Sequence, residues 1–103
     1  MEHLDALLED LLQILYHEGS AGTEYAQTTL IRMRQNMAIA RESGASQEEL
    51  FAVLREQYKE LFPPKGGLSE FYRWSEDFQE RVRLNREVEA LLAEIRRVLD
   101  KEA

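Results

Sequence analysis

Few side chains in this chain could support catalysis or bind a metal ion. The sequence has two histidines, His3 and His17, and no cysteine. Disulfide frameworks, thiolate zinc sites, iron–sulfur clusters and cysteine nucleophiles all require sulfur, so these are excluded. A di-metal helical bundle requires two Glu-x-x-His pairs, and the residue three positions before His17 is Ile14. The sequence therefore predicts no metal site, no cofactor and no catalytic residue.

Two local patterns resemble reactive sites but have simpler structural explanations. Adjacent acids such as Glu48 and Glu49 are typical of a first helical turn, where negative charge interacts favourably with the helix dipole. The segment Lys65-Gly66-Gly67 precedes a helix start, as anion-binding loops do. A phosphate-binding loop, however, places glycine before lysine and follows a strand. We therefore expect an ordinary turn at this segment. Because no other pattern indicates a reactive site, we also expect that the protein is not an enzyme.

Length and composition predict one small domain. The chain has 103 residues, 44% of them hydrophobic, so we expect a single helical-bundle domain over residues 1–103. Twenty acids against 13 bases give a net charge of −7, which disfavours nucleic acid and anionic lipid as partners. No apolar run approaches the roughly 18 residues of a membrane span. Without cysteine or a basic leader, the expected location is cytoplasmic.

The negative charge is concentrated at the beginning of the chain. Residues 1–18 contain five acids and neither lysine nor arginine, whereas residues 65–103 contain nine acids and eight bases. The first segment is therefore the most acidic part of the molecule. For a chain of this overall charge, basic or apolar protein surfaces are the easier partners.

Hydrophobic periodicity predicts four helices and no strand. Leucines recur at three- and four-residue steps over residues 2–18, with acids on the opposite side. A narrower stripe of small or flexible apolar residues predicts a second helix over residues 23–43. Either Ser20 or Thr23 could cap its first turn, so this alternative stays open.

Clear signals separate the second helix from the third. Gly44 is expected to end the second helix, and Ser46-Gln47-Glu48-Glu49 has the form of a capping box. The third helix should therefore begin at Gln47 and continue to Phe62. The pair Pro63-Pro64 then breaks it, because proline cannot donate a backbone hydrogen bond and disfavours a helical residue before it.

A fourth helical segment is predicted over residues 69–99, either as one helix or as two joined near Ser75. It could start at Ser69-Glu70 or at Ser75-Glu76-Asp77, where a capping serine precedes acids in the first turn. Read as heptads, its two core positions are occupied by Phe71, Phe78, Asn85, Leu92 and Leu99, and by Trp74, Arg81, Val88 and Ile95. Arg81 and Asn85 interrupt an otherwise apolar seam. Polar residues at such positions often fix the register or the number of partners.

The predicted helix lengths do not match. At 1.5 Å per residue the fourth helix would extend roughly 46 Å, and the other three roughly 24 to 31 Å. A bend near Ser75, pairing with two shorter helices end to end, or a second copy of the chain could cover the excess. The predicted fold is thus an all-α antiparallel bundle of about four helices with a long C-terminal helix.

Aromatic residues cluster around the Pro-Gly loop and suggest an interface. They either lock the loop as a small core or project outward, and Trp, Tyr and Arg dominate protein interfaces. We predict an interface that contains Tyr72, Arg73, Trp74, Arg81, Asn85, Val88 and Leu92.

The turn over residues 44–50 resembles the junction of bacterial helix-turn-helix proteins. That resemblance implies a DNA-binding regulator, in which Arg32, Arg34 and Arg41 could approach phosphate. A recognition helix should then follow a second tight turn, whereas the third helix is predicted to be continuous. We therefore expect a protein that acts through protein–protein contacts, as a homodimer or as an adaptor or regulatory partner. A helix-turn-helix-like DNA-binding regulator is the alternative.

Overall fold

The computed structural model describes residues 2–18, 23–64, 67–68, 71 and 76–101, and these form an all-α fold. The helices are α1 (Glu2–Glu18), α2 (Glu24–Ser43), α3 (Gln47–Lys59) and α4 (Phe78–Lys101). Helix α1 packs against α2 and α4, and α3 packs against the same two helices. The molecule measures 48 × 23 × 23 Å. The predicted helical bundle with a long C-terminal helix is confirmed.

One hydrophobic core receives side chains from all four helices. Helix α1 contributes Leu4, Leu7, Leu8, Leu11, Leu12 and Leu15, and helix α2 contributes Ala26, Leu30, Met33 and Met37. Their steps of three and four residues place them on one side of each helix. The apolar stripes predicted for both helices are therefore confirmed.

The junction between α2 and α3 follows its sequence signals. Gly44 has a left-handed φ of 73°, and its N–H donates to the carbonyl of Ala40 at 3.1 Å. The Ser46 hydroxyl accepts a hydrogen bond from the backbone N–H of Glu49 at 3.1 Å. The predicted end of α2 and the predicted cap of α3 are both confirmed.

The start of α2 differs from the expected side-chain cap. Thr23 occupies the N-cap position, but its hydroxyl makes no capping bond to the backbone. It accepts instead from the side-chain amide of Gln27 at 3.0 Å, while its carbonyl accepts the backbone N–H of the same residue at 2.9 Å. Ser20, the other predicted cap, lies outside the described residues.

Helix α3 ends at Lys59, so the prediction that it continues to Phe62 is wrong. The N–H groups of residues 60–62 each donate to the carbonyl three residues earlier, at 3.0–3.1 Å. This tighter hydrogen-bonding pattern is common at helix ends and turns the chain before the prolines. It also places Leu61 fully in the core, where it has no exposed surface.

A second left-handed residue follows this turn. Gly67 has a φ of 75°, and a Cβ there would lie 2.4 Å from Pro63 Cδ and 2.7 Å from the Leu61 carbonyl oxygen. The next residue, Leu68, donates its N–H to the same carbonyl at 2.9 Å and is itself buried. Only glycine fits this close return of the chain.

Helix α4 begins at Phe78, so a continuous helix over residues 69–99 is wrong, and the alternative start at Ser75-Glu76-Asp77 is the closer prediction. Phe71 lies outside any helix, although its side chain packs partly against the core. The Asp77 carboxylate caps the new start, because it accepts the N–H groups of Gln79 and Glu80 at 2.9 and 3.1 Å. With 24 residues α4 extends roughly 36 Å. The excess length of this helix is therefore smaller than predicted, and Ser75 lies outside the described residues.

Candidate interaction surfaces

The polar side chains that could bind a metal do not converge. The structure shows no group of three or more potential metal ligands in its described ranges. His3 Nε2 lies 3.7 Å from the Glu94 carboxylate on α4, at an exposed position. Glu94 also accepts a hydrogen bond from Arg97, which is the main reason that its pKa is lowered. Across the same ranges, none of the helices combines the length and apolar character needed to cross a bilayer.

Two of the predicted interface residues point into the bundle. Val88 is only 6% exposed and packs in the core of its own chain. Leu92 is partly buried against that core, and its carbonyl accepts a hydrogen bond from the Tyr58 hydroxyl at 3.2 Å. Burial in its own chain leaves Val88 little surface to offer a partner.

Arg81 and Asn85, two further predicted interface residues, lie nearer the start of α4. Arg81 and Asn85 are half-buried, and the Asn85 side-chain amide donates to the Arg81 carbonyl at 2.8 Å. The Arg81 guanidinium stands 5.4 Å from the centroid of the Phe78 ring. These contacts place Arg81 beside an exposed aromatic side chain and Asn85 one turn farther along the helix. Tyr72, Arg73 and Trp74 lie outside the described residues.

Phe78 was predicted to occupy the core seam of α4, and it does not. Its side chain is 67% exposed, the largest value for a bulky apolar residue in the described part of the chain. Phe78 lies three heptads before Leu99. On a straight α-helix, side chains seven residues apart do not point in the same direction but are offset by about 20° around the helix axis. A seam fixed by the buried Leu99 therefore turns Phe78 outward at the other end of the helix.

Phe78 belongs to a surface that we call the outer stripe of α4. The outer stripe comprises Phe78, Gln79, Val82, Arg83 and Arg86, which line a shallow groove of about 350 Å³. No carboxylate lines this groove, and the described structure shows no ion pair for Arg83 or Arg86. The outer stripe is thus apolar and basic on a molecule with a net charge of −7.

An acidic surface of opposite character lies on α1. We call Glu2, Glu9 and Asp10, all exposed, the acidic face of α1. Their neighbour Asp5 is more fully neutralised, since Arg34 donates to both of its oxygens at 2.8 and 3.3 Å, whereas the same guanidinium lies 3.6 Å from Glu9. This hydrogen bonding is the main reason that the pKa of Asp5 is lowered and that of Arg34 is raised.

A third surface lies between α3 and α4, in a groove of about 400 Å³. Arg55 donates from Nη1 to the Leu99 carbonyl at 3.2 Å. The rings of Tyr58 and Phe62 meet edge to face at 5.2 Å between centroids. Burial raises the pKa of Tyr58, because the charged phenolate would be poorly solvated there. Together with Lys59, Arg96 and Asp100, these residues make a groove with an apolar floor and a charged rim.

The sequence did not predict which residues come together to form these surfaces. Apart from Phe78, the outer stripe lies off the predicted seam, and the groove between α3 and α4 joins residues some 40 positions apart, such as Arg55 with Arg96. A further apolar surface, between α2 and α3, includes Ile39 and Val53, which are 61% and 48% exposed. Only the spacing of Phe78, Val82 and Arg86 at intervals of four could have indicated a shared side in advance.

The helix-turn-helix resemblance extends only to the turn before α3. Helix α3 is continuous from Gln47 to Lys59, with no second tight turn inside it. The next helix in the described structure is α4, which starts at Phe78. Arg34 is engaged with Asp5, while Arg32 and Arg41 remain exposed. The described structure therefore shows the turn before α3 and not the second tight turn that would open a separate recognition helix.

Comparison with known proteins adds no relative to this picture. No protein family, curated protein or solved structure matches the chain with significance. The surfaces of the molecule are therefore the source of any functional inference.

Proposed function

We propose that the protein acts through protein–protein contact and that a second copy of the chain is its partner. The observation that carries this proposal is Phe78, an aromatic side chain that is 67% exposed at the start of the outer stripe. Residues four apart share one side of a helix, so Phe78, Val82 and Arg86 form a continuous contact surface. Aromatic side chains and arginine supply most of the binding energy in many interfaces.

Charge favours a contact between two different faces. The outer stripe presents Arg83 and Arg86, and the acidic face of α1 presents Glu2, Glu9 and Asp10. Pairing two outer stripes would bring four arginines together, which like-charge repulsion disfavours. We therefore propose that the outer stripe of one copy packs on the acidic face of another, as a head-to-tail contact.

The size of the outer stripe indicates a weak association. It spans nine residues of α4, or roughly 14 Å of helix, so it buries less than the roughly 800 Å² per partner that is typical of stable complexes. Because the opposite charges are solvent-exposed, salt should weaken the contact. The proposed role is a binding role without a reaction, and the cysteine-free chain suits the reducing cytoplasm.

Sedimentation equilibrium tests the proposal over about 10 μM to 1 mM protein, the range expected for a small interface. The average mass should rise with concentration at low salt and fall back toward the monomer at high salt. Arg83→Glu with Arg86→Glu should abolish the rise. The control variant, Arg32→Glu with Lys101→Glu, makes the same change of charge at other exposed positions, and its average mass should still rise with concentration.

Mixing two non-associating variants tests the head-to-tail geometry. The first is the Arg83→Glu, Arg86→Glu variant, and the second carries Glu9→Lys and Asp10→Lys. Each should be monomeric alone. Together they should form a complex, because the intact stripe of the second meets the intact acidic face of the first. A wild-type protein that stays monomeric throughout would refute self-association, and a mixture that stays monomeric would refute this geometry.

A further inference from the structure

We infer that the groove between α3 and α4 binds a small aliphatic carboxylate. This groove involves the last turns of α4 and is separate from the outer stripe in the first turns. Its volume of about 400 Å³ lies within the range of small-molecule sites. The inference does not depend on the proposed self-association.

The floor of the groove is apolar and is fixed in place. Leu99 is 1% exposed, and Tyr58 and Phe62 are half-buried beside it. The Tyr58 hydroxyl is held by the Leu92 carbonyl at 3.2 Å, and its ring is held by the edge-to-face contact with Phe62. An aliphatic chain can therefore bury its surface here without first ordering the floor.

The rim of the groove carries three cations and one acid. Arg55, Lys59 and Arg96 provide the positive charges, and Asp100 is the acidic lining residue. Arg55 uses one N–H on the Leu99 carbonyl and has four further guanidinium N–H donors. An excess of positive charge over an apolar floor fits a ligand with one anionic head and an aliphatic body.

Two of these cations are only weakly engaged within the chain. Lys59 Nζ lies 3.1 Å from Glu56, and Arg96 Nε lies 3.6 Å from Asp100. All four side chains in these pairs are at least 63% exposed. Exposed ion pairs of this kind contribute little to stability, so a carboxylate seated on the apolar floor can compete for both cations.

Calorimetric titration with octanoate tests the inference, alongside 1-octanol and octylammonium as neutral and cationic matches of the same chain length. For a ligand with so few atoms we expect a dissociation constant on the order of 1 mM. Octanoate should also raise the thermal midpoint, since it binds the native state. Octanol should bind more weakly, and octylammonium should not bind.

The variant Lys59→Gln with Arg96→Gln should weaken octanoate binding by about tenfold or more. Both positions are exposed, so the variant should retain the wild-type circular dichroism spectrum. The control is Arg83→Gln with Arg86→Gln, which removes the same charge from the outer stripe and should bind octanoate as the wild type does. Absence of octanoate binding, equal binding of octanol, or equal weakening in the control would overturn the inference.

Discussion

Helices α1 and α4 have similar amphipathic patterns but are buried to different extents. The apolar stripe of α1 is buried from Leu4 to Leu15, over nearly the whole helix. In α4 the buried residues begin only at Val88, and none of residues 78–87 is buried. Periodicity therefore identifies the side of a helix that faces the core. It does not identify how much of the helix its neighbours cover, which depends on their lengths and register.

The largest expected effect contrasts the two halves of α4. Ile95→Ala should lower the free energy of unfolding by about 3 kcal/mol, because it empties a fully buried site. Phe78→Ala should change it by less than about 0.5 kcal/mol, because that side chain is mostly exposed. Urea denaturation of both variants measures the difference. Similar losses would mean that the first half of α4 is as well packed as the second.

A smaller effect is expected at the start of α4, where capping compensates for the lack of buried side chains. Asp77→Ala should cost about 1 kcal/mol, because the N–H groups of Gln79 and Glu80 lose their acceptor. Hydrogen exchange should speed up at these two amides and not near Ile95. The exposed neighbour Glu76 provides a control, and Glu76→Ala should cost only a few tenths of that amount. Equal costs would argue against the cap.

The smallest effect concerns the ion pair that ties α1 to α2. Arg34 holds the pKa of Asp5 below its usual value near 3.8, so the pair stabilises the fold above that pH. This stability is lost as the pH falls through the lowered pKa. Asp5→Asn should therefore cost less than about 1 kcal/mol at neutral pH, since both side chains are about one-third exposed.

Denaturation of the wild type and the Asp5→Asn variant at a series of pH values checks this prediction. The difference between them should vanish once the pH lies below the lowered pKa of Asp5, because Asp5 is then protonated in both the folded and the unfolded chain. Glu9→Gln serves as a control, because Glu9 lies farther from Arg34, at 3.6 Å, and is more exposed. A difference that persists in acid would show that packing rather than charge is responsible.

Local signals predicted the first half of the fold well. Gly44 and Ser46 determine their turn through interactions within a few residues, and the leucines of α1 face one core along their length. The end of α3 and the start of α4 were predicted less well. Helix α3 ends early in a tighter turn that buries Leu61, and helix α4 begins late, after a cap by Asp77. Tertiary packing and capping selected these boundaries, and periodicity does not contain that information.

The candidate surfaces were harder to predict than the helices. Arg55 meets Leu99 and Tyr58 meets Leu92 only because α3 and α4 adopt a particular antiparallel register. That register depends on the whole loop between them, and the sequence pattern leaves it open. The exposure of Phe78 likewise depends on where Leu99 anchors the far end of the same helix.

The two left-handed glycines differ in how freely the chain could change at each position during evolution. A Cβ added at Gly44 would have no atom within 4 Å, so a replacement there meets only the backbone penalty of its φ angle. Gly67 faces both Pro63 and the Leu61 carbonyl, and any substitute would collide with them. A descendant of this protein could therefore exchange Gly44 alone, whereas losing Gly67 would require a coordinated rebuilding of the segment that delivers the chain to its last helix.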